Sequence, residues 1–266
     1  SCQVIELGGI VLALQPGGAH PYTYVFEHEA FTLKLARRLS PAISVEFRAD
    51  ALWSRGYLDL HAMMMRFIEA CGYVIRKGVT VSRVDPAFDY HIPVRDFDED
   101  NIVSKCQKNK IHRTGTDRET IHVGSPKNAT QCRIYHKSKE IIQASDKTWF
   151  YDLWGLKDDV WRVELQLRRE KLKDAGIDDI GDMGEKLSDL LVYLVTNHTT
   201  LRLKKDGNVT RRPLHPLWVD LQIQAANWQR RPRTEAKIDR KVSLHERRRM
   251  TCTSILGYMS RLGAID

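Results

Sequence analysis

The sequence predicts an α+β fold: an antiparallel β-sheet with helices packed on one face, an open face carrying the active site, and a helical C-terminal portion. Three observations predict it. Segments 43–48, 130–137 and 160–169 alternate apolar and polar residues with a period of two, as half-buried strands do. Leu60, Met63, Met64, Phe67, Ile68 and Cys71 recur at i, i+3, i+4 and i+7, one face of a helix. The turn signal Gly124-Ser125-Pro126-Lys127-Asn128 sends the strand after it back antiparallel to the one before.

In chain order, Val4-Ile5 and Ile10 to Leu14 read as strands punctuated by Gly8-Gly9 and Pro16-Gly17-Gly18. Phe31 to Leu39 reads as a short helix ended before Pro41. Ile43, Val45 and Phe47 form the apolar side of a strand, with Glu46 on its polar side. Asp59 caps the helix that runs to Cys71 and Gly72 ends it; its Met run is core packing. Next come a strand near Tyr73 to Ile75, a turn at Lys77-Gly78 and a strand from Val79 into Tyr90. On the last of these, Arg83, Asp85, Ala87 and Asp89 share a face, and Pro86 makes a bulge or marks a sheet edge.

Asp98 opens a polar helix from Glu99 to about Lys108. Glu119 to Val123 is a strand bearing His122, and an aromatic segment (Trp149, Phe150, Tyr151, Trp154) precedes the strand Val160 to Arg169. That strand has Trp161, Val163, Leu165 and Leu167 on one face and Arg162, Glu164, Gln166 and Arg168 on the other. Beyond Gly176 come an amphipathic helix from Glu185 to Thr196, a hairpin around Asp206-Gly207, a helix opened by His215-Pro216-Leu217-Trp218, and a basic helical tail. Residues 1–175 are expected as a core and 176–266 as a mainly helical portion, packed on or continuous with it.

Hydrophobic residues at 42% and charged residues at 29% give a chain of 266 residues enough apolar surface for a core. No apolar run approaches the roughly 20 residues of a membrane span, so no membrane partner is expected. The first residue is Ser, which suggests a processed or trimmed N-terminus. Five scattered cysteines, odd in number and without metal-ligand spacing, suggest reduced thiols and a cytoplasmic protein. The net charge of +8 suggests a polyanionic partner. The excess is uneven: nine Lys and Arg against two acids over 101–139, and nine against three over 230–249. A charge run is usually a solvated face, but the first of these leads into Tyr135.

Within Gln131-Cys132-Arg133-Ile134-Tyr135-His136-Lys137, the alternation puts Gln131, Arg133, Tyr135 and Lys137 on one side. Tyr135 between two cations is a candidate nucleophile, because a free phenol ionises only near pH ~10 and adjacent positive charge favours the phenolate. Asp85 and Asp89 lie four residues apart, about 13 Å in an extended strand, too far to share one ion. Asp85 is therefore the candidate metal ligand, and Asp89 an accessory acid or turn residue. His122 and Glu46 are accessory candidates for proton transfer or metal binding; Arg83, Arg162, Ser125 and Lys127 are candidate backbone contacts. From the residues alone, Glu164 between two arginines reads as a cross-strand salt bridge.

Three segments, Val81-Ser82-Arg83-Val84-Asp85-Pro86-Ala87-Phe88-Asp89, Val123-Gly124-Ser125 with the strand of Tyr135, and Trp161-Arg162-Val163-Glu164-Leu165-Gln166-Leu167-Arg168-Arg169, together resemble the replication initiation factor (Rep_trans) family. That family comprises rolling-circle initiators of plasmids and filamentous phages and related conjugative relaxases, and the likeness runs from about Ser44 to Trp218. The resemblance implies that Tyr135 forms a 5′-phosphotyrosyl link at an origin, that Glu164 joins Asp85 in holding Mg²⁺ or Mn²⁺, and that Arg133 and Lys137 assist. It further implies origin DNA (single-stranded or cruciform at the nick) as partner, a host helicase and a homodimer. No His-hydrophobe-His pair is present, so the chemistry leans on carboxylates. The alternatives are a conjugative relaxase of the same chemistry, a non-catalytic basic DNA-binding regulator, and, more weakly, an RNA binder lacking the paired aromatic sheet motif.

Overall fold

The structure is a computed structural model and describes residues 3–106, 109–114, 117–125, 127–204, 207–208 and 211–228; the side chains of 109–114 and 117–119 are not described. The basic run over 230–249 and the tail expected to be helical lie outside the described residues. The fold is α+β and its sheets are antiparallel. The chain divides into two compact units, which among the described residues comprise 3–73 with 148–155, and 74–147 with 156–228. The expected boundary at residue 175 falls inside the second unit.

The first unit is a five-stranded meander, β1 (Gln3–Leu7), β2 (Ile10–Leu14), β3 (Tyr24–Glu27), β4 (Phe31–Leu35) and β5 (Ile43–Phe47), continued by helix α1 (Ala49–Ala70). Gly8 and Gly9 both have positive φ (55° and 75°), which the two-residue turn between Leu7 and Ile10 requires. Leu12, Phe26, Phe31 and Leu33 from the sheet and Leu60, Met64, Phe67 and Ile68 from α1 form the core. Burying such side chains stabilises by roughly 1.5–3 kcal/mol each. The helix starts ten residues before its expected cap because a first segment joins it at a kink, where Gly56 takes φ 76° and ψ 158°. The helix expected from Phe31 is strand β4. Phe31, Leu33 and Leu35 have a period of two, and pairing with β3 and β5 decides the matter.

The second unit contains β6 (Arg83–Val84), β7 (Ala87–His91), β8 (Ile102–Ser104), β9 (Asn109–Thr114), β10 (Asp117–Val123), β11 (Thr130–His136) and α2 (Lys137–Glu140). After α3 (Trp149–Trp154), which belongs to the first unit, it continues with β12 (Val160–Arg168), α4 (Arg169–Asp174), α5 (Ile180–Tyr193), β13 (Thr199–Leu201) and α6 (Pro216–Ala226). Its main sheet has the order β6-β12-β11-β10-β9, with β7 also on β12. Strands β6 and β7 are two halves of one edge strand. Val84 opposes Leu167 and Ala87 opposes Glu164, so the register carries through without a bulge. In the gap, Leu165 N donates to Pro86 O at 2.9 Å, and proline has no N–H to return. Pro86 thus marks an edge, one of the two roles expected of it, and interrupts pairing without shifting it.

One face of this sheet is apolar: Phe88, Ile121, Val123, Cys132, Ile134, Val163, Leu165 and Leu167 are buried. Trp161 meets Phe97 edge-on at 5.4 Å, Phe97 meets His215 at 6.1 Å, and Phe88 meets Trp228 at 5.4 Å, which ties the face to both ends of α6. His215 caps α6 through Nδ1, which accepts from Leu217 N.

Two other expectations fail. Asp98 does cap a turn, with a capping box to Asn101, but the turn spans only Glu99–Asn101 and the chain then enters β8, paired with β13. No strand forms at Tyr73 to Ile75 or from Val79 to Ser82. Asp206 is outside the described residues, although Arg202 and Leu214 bridge across the expected hairpin. Among the described residues no helix is long and apolar enough to cross a membrane.

Candidate functional site

Cross-strand register assembles the site. Arg162 opposes Asp89 on one side and Tyr135 on the other; Glu164 opposes Ala87 and Arg133; Gln166 opposes Gln131. Because directly opposed residues share a face, Arg83, Asp85, Asp89, Arg162, Glu164, Arg133, Tyr135 and His122 all stand on the polar side. By the same register Asp85 opposes Gln166 and is diagonal to Glu164, a Cα separation of about 7–8 Å. The site residues expected from β6 to β12 are therefore brought to one surface of one sheet.

The phenol is held by a carboxylate. Tyr135 Oη donates to Glu164 Oε2 at 3.0 Å, and Arg133 Nη2 donates to Glu164 Oε1. Glu164 is 6% exposed and Arg162 8%, so the polar side chains of the central strand are buried, whereas Tyr135 and Arg133 are half-buried. The two cations expected beside the phenol do flank it, but at its ring: the Arg133 guanidinium carbon and Lys137 Nζ each lie 5.9 Å from the ring centroid. The electrostatic consequence differs from the sequence expectation. Burial pushes the Tyr135 phenol above its ordinary range, and the Glu164 charge and hydrogen bond push it the same way. Arg162 and Arg133 pull it down without overcoming them. The resting phenol is neutral.

Each remaining acid on this face has its own cation. Arg83 Nε donates to Asp85 Oδ1 at 2.8 Å. Arg162 grips Asp89 with Nε at 2.6 Å and Nη2 at 2.7 Å, a two-pronged pair that keeps the buried guanidinium charged against the cost of its burial. Lys137 is the first residue of α2, where its ammonium pairs with Glu140, whose Oε2 also accepts from Ser145 Oγ at 3.1 Å. Burial, helped by Arg162 and Lys147, lowers the Lys137 ammonium below the usual lysine range. Arg133 Nε is buried without a hydrogen-bond partner among the described residues, a donor turned inward at the site.

The accessory candidates separate. His122 Nδ1 lies 3.3 Å from Gln131 Nε2, which also donates to Gly124 O at 3.3 Å, so His122 is fixed beside the hairpin turn. Ser125 Oγ accepts from Lys127 N at 3.3 Å, and the Lys127 side chain is exposed. Glu46 is in the first unit, at the surface, 3.7 Å from Lys34. Sequence reasoning missed Gln131, Gln166 and Glu140. The first two were legible, since both fall on the polar side of alternating strands, and Gln166 lies between Arg83 and Arg168. Glu140 was not, because the helix begins where the alternation stops.

No family model and no curated protein matches the chain. Among solved structures it is similar to a rolling circle replication initiator protein from Geobacillus stearothermophilus, with a TM-score of 0.47 and 19% identity over 81% of this chain and 82% of that one. A likeness of this depth assigns no role to any side chain.

Proposed function

We propose that the protein nicks and rejoins single-stranded DNA at a replication origin through a covalent bond to Tyr135, and so initiates rolling-circle replication. The observation that carries this reading is the half-buried phenol, hydrogen-bonded at 3.0 Å to a carboxylate that an arginine also holds. A neutral phenol needs a base, and Glu164 is in contact to take its proton. The tyrosine oxygen then attacks the scissile phosphorus, the bond from phosphorus to the 3′ oxygen breaks, that oxygen takes a proton from water, and a 5′-phosphotyrosyl ester and a free 3′-OH result. The ester conserves the bond, so attack by a 3′-OH rejoins the strand and returns the tyrosine. Arg133, whose Nη2 is released from Glu164 as that group is protonated, binds the phosphate oxygens.

Among the described residues no group of three or more His, Cys, Asp or Glu side chains is placed to hold a metal. Asp85 would hold Mg²⁺ or Mn²⁺ together with substrate phosphate oxygens and water once Arg83 turns to a phosphate, and Glu164 would add an oxygen only while it does not carry the tyrosine proton. Such an ion would polarise the scissile phosphate and stabilise its developing charge. Asp89, held by both prongs of Arg162, is a positioning group. We further propose that the protein acts as a homodimer with a host helicase, on origin DNA that is single-stranded or extruded as a cruciform. The test is incubation with supercoiled DNA carrying the replicon's own origin. Open circles with protein attached at a 5′ end are expected; circles that stay supercoiled, or open without attached protein, refute the reading.

A further inference from the structure

Residues 74–80 have the composition of strands and, among the described residues, none of the pairing. Val74-Ile75 and Val79-Thr80-Val81 are β-branched runs around Gly78, whose φ of 76° marks a turn. Among the described residues, the first backbone bond of this stretch is Val81 N to Asp178 O at 2.9 Å. Val74 is 83% exposed, and Ile75 and Val79 are exposed as well. Apolar side chains and unpaired backbone set out together in water can serve as an interaction surface.

Charge indicates what the surface takes. Between residues 74 and 82 there are two cations, Arg76 and Lys77, both exposed, and no acid, while Arg83 beyond them is paired with Asp85. A strand from another protein would need no such excess, whereas a polyanion would. Position indicates which part of a polyanion. The segment runs directly into β6, where Arg83 opposes Arg168, while Tyr135 opposes Arg162. Six residues along the sheet and two strands across separate them, about 22 Å. A strand stacked at about 3.4 Å per nucleotide covers that in about six nucleotides.

We infer that residues 74–83 are an arm that holds the sugar-phosphate backbone of the single strand leading away from Tyr135, beginning at Arg83 about six nucleotides from the nick. The inference rests on the reading of the protein as a DNA-nicking enzyme. Arg76 and Lys77 neutralise phosphates, and the β-branched side chains pack against sugars and base edges. The contacts are independent of sequence, so thymidine oligonucleotides serve as the probe, at lengths of about 4 nucleotides, too short to span the distance from Tyr135 to the arm, and about 24, longer than single-strand sites of this kind.

Binding of the native full chain and of an R76A/K77A variant is measured by fluorescence anisotropy across a salt series. Both substitutions are at exposed positions, so the fold is retained, as far-UV circular dichroism will verify. The expected result is a loss on the order of tenfold for the longer oligonucleotide, a salt slope shallower by about 1.4, and no change for the shorter one. A variant that matches the native protein at both lengths overturns the arm, and so does one weakened equally at both. The nicking reading is tested separately, by formation of a covalent adduct with a short oligonucleotide spanning the nick. Loss of that adduct in the native protein refutes the nicking reading without altering the length-dependent binding.

Discussion

The two sheets use charge in opposite ways. In the first unit no charged side chain among the described residues is fully buried: Glu46 is 73% exposed and sits 3.7 Å from Lys34, and the pair of Glu27 with Arg48 is half-exposed. In the second unit Arg162 and Glu164 are buried and each is tied to a partner, Asp89 in one case and Arg133 with Tyr135 in the other. Exposed pairs contribute about 0–1 kcal/mol. Buried pairs bring no clear advantage over apolar residues of the same size, yet losing one partner costs about 3–5 kcal/mol. A sheet that retains such pairs at its centre gains little stability from them, and the role proposed for Tyr135 would account for their retention.

The contrast can be broken most sharply at Tyr135. Tyr135→Phe should abolish covalent adduct formation with a nick-site oligonucleotide and Mn²⁺, while the single hydrogen bond lost costs only about 1 kcal/mol in a urea titration. An adduct that persists would remove the tyrosine from the chemistry. Next in size, Glu164→Gln should slow nicking by about 10²–10⁴-fold, as expected for loss of a general base. It should also move Tyr135 ionisation to lower pH, because Arg162 and Arg133 remain while the opposing carboxylate charge is gone; ultraviolet difference absorbance reads this directly. If ionisation stays where it was, Glu164 is not what holds the phenol neutral.

Asp89→Asn should cost about 3 kcal/mol in denaturant stability by stranding Arg162, whereas Glu46→Ala should cost no more than about 0.5 kcal/mol and leave adduct formation unchanged. Equal losses at the two positions would dissolve the distinction between the sheets. The smallest effect concerns alkali. The raised Tyr135 value means that its protonated form is favoured in the fold, so its contribution is intact below pH ~10 and lost as pH rises through the higher folded value. Tyr135→Phe should therefore lose less stability than the native protein between neutral pH and pH ~11, as thermal melts would register.

Much of the site was legible because strand alternation is local information. Arg83, Asp85 and Asp89, Arg133 and Tyr135, and Arg162 and Glu164 each declare a shared face within a few residues. Which acid takes which cation depends on register between strands that are distant in sequence, and Tyr135 reaches Glu164 only because Glu164 lies diagonal to it across β11 and β12. The same limit explains the errors in the fold. Asp98 gives a true capping signal, but the course of the chain after Asn101 is decided by β13, almost a hundred residues later. The run from Tyr73 to Ser82 has strand composition, and no strand pairs with it among the described residues.

The missing N–H of Pro86 reaches beyond the ladder it interrupts. With one cross-link fewer at that rung, the half-strand of Arg83 and Asp85 can peel from β12 while the half carrying Asp89 stays zipped. Amide exchange should then be faster at Val84 than at Phe88. The carboxylate offered to an ion would ride on a short flap, while the rest of the scaffold beneath the phenol keeps its place.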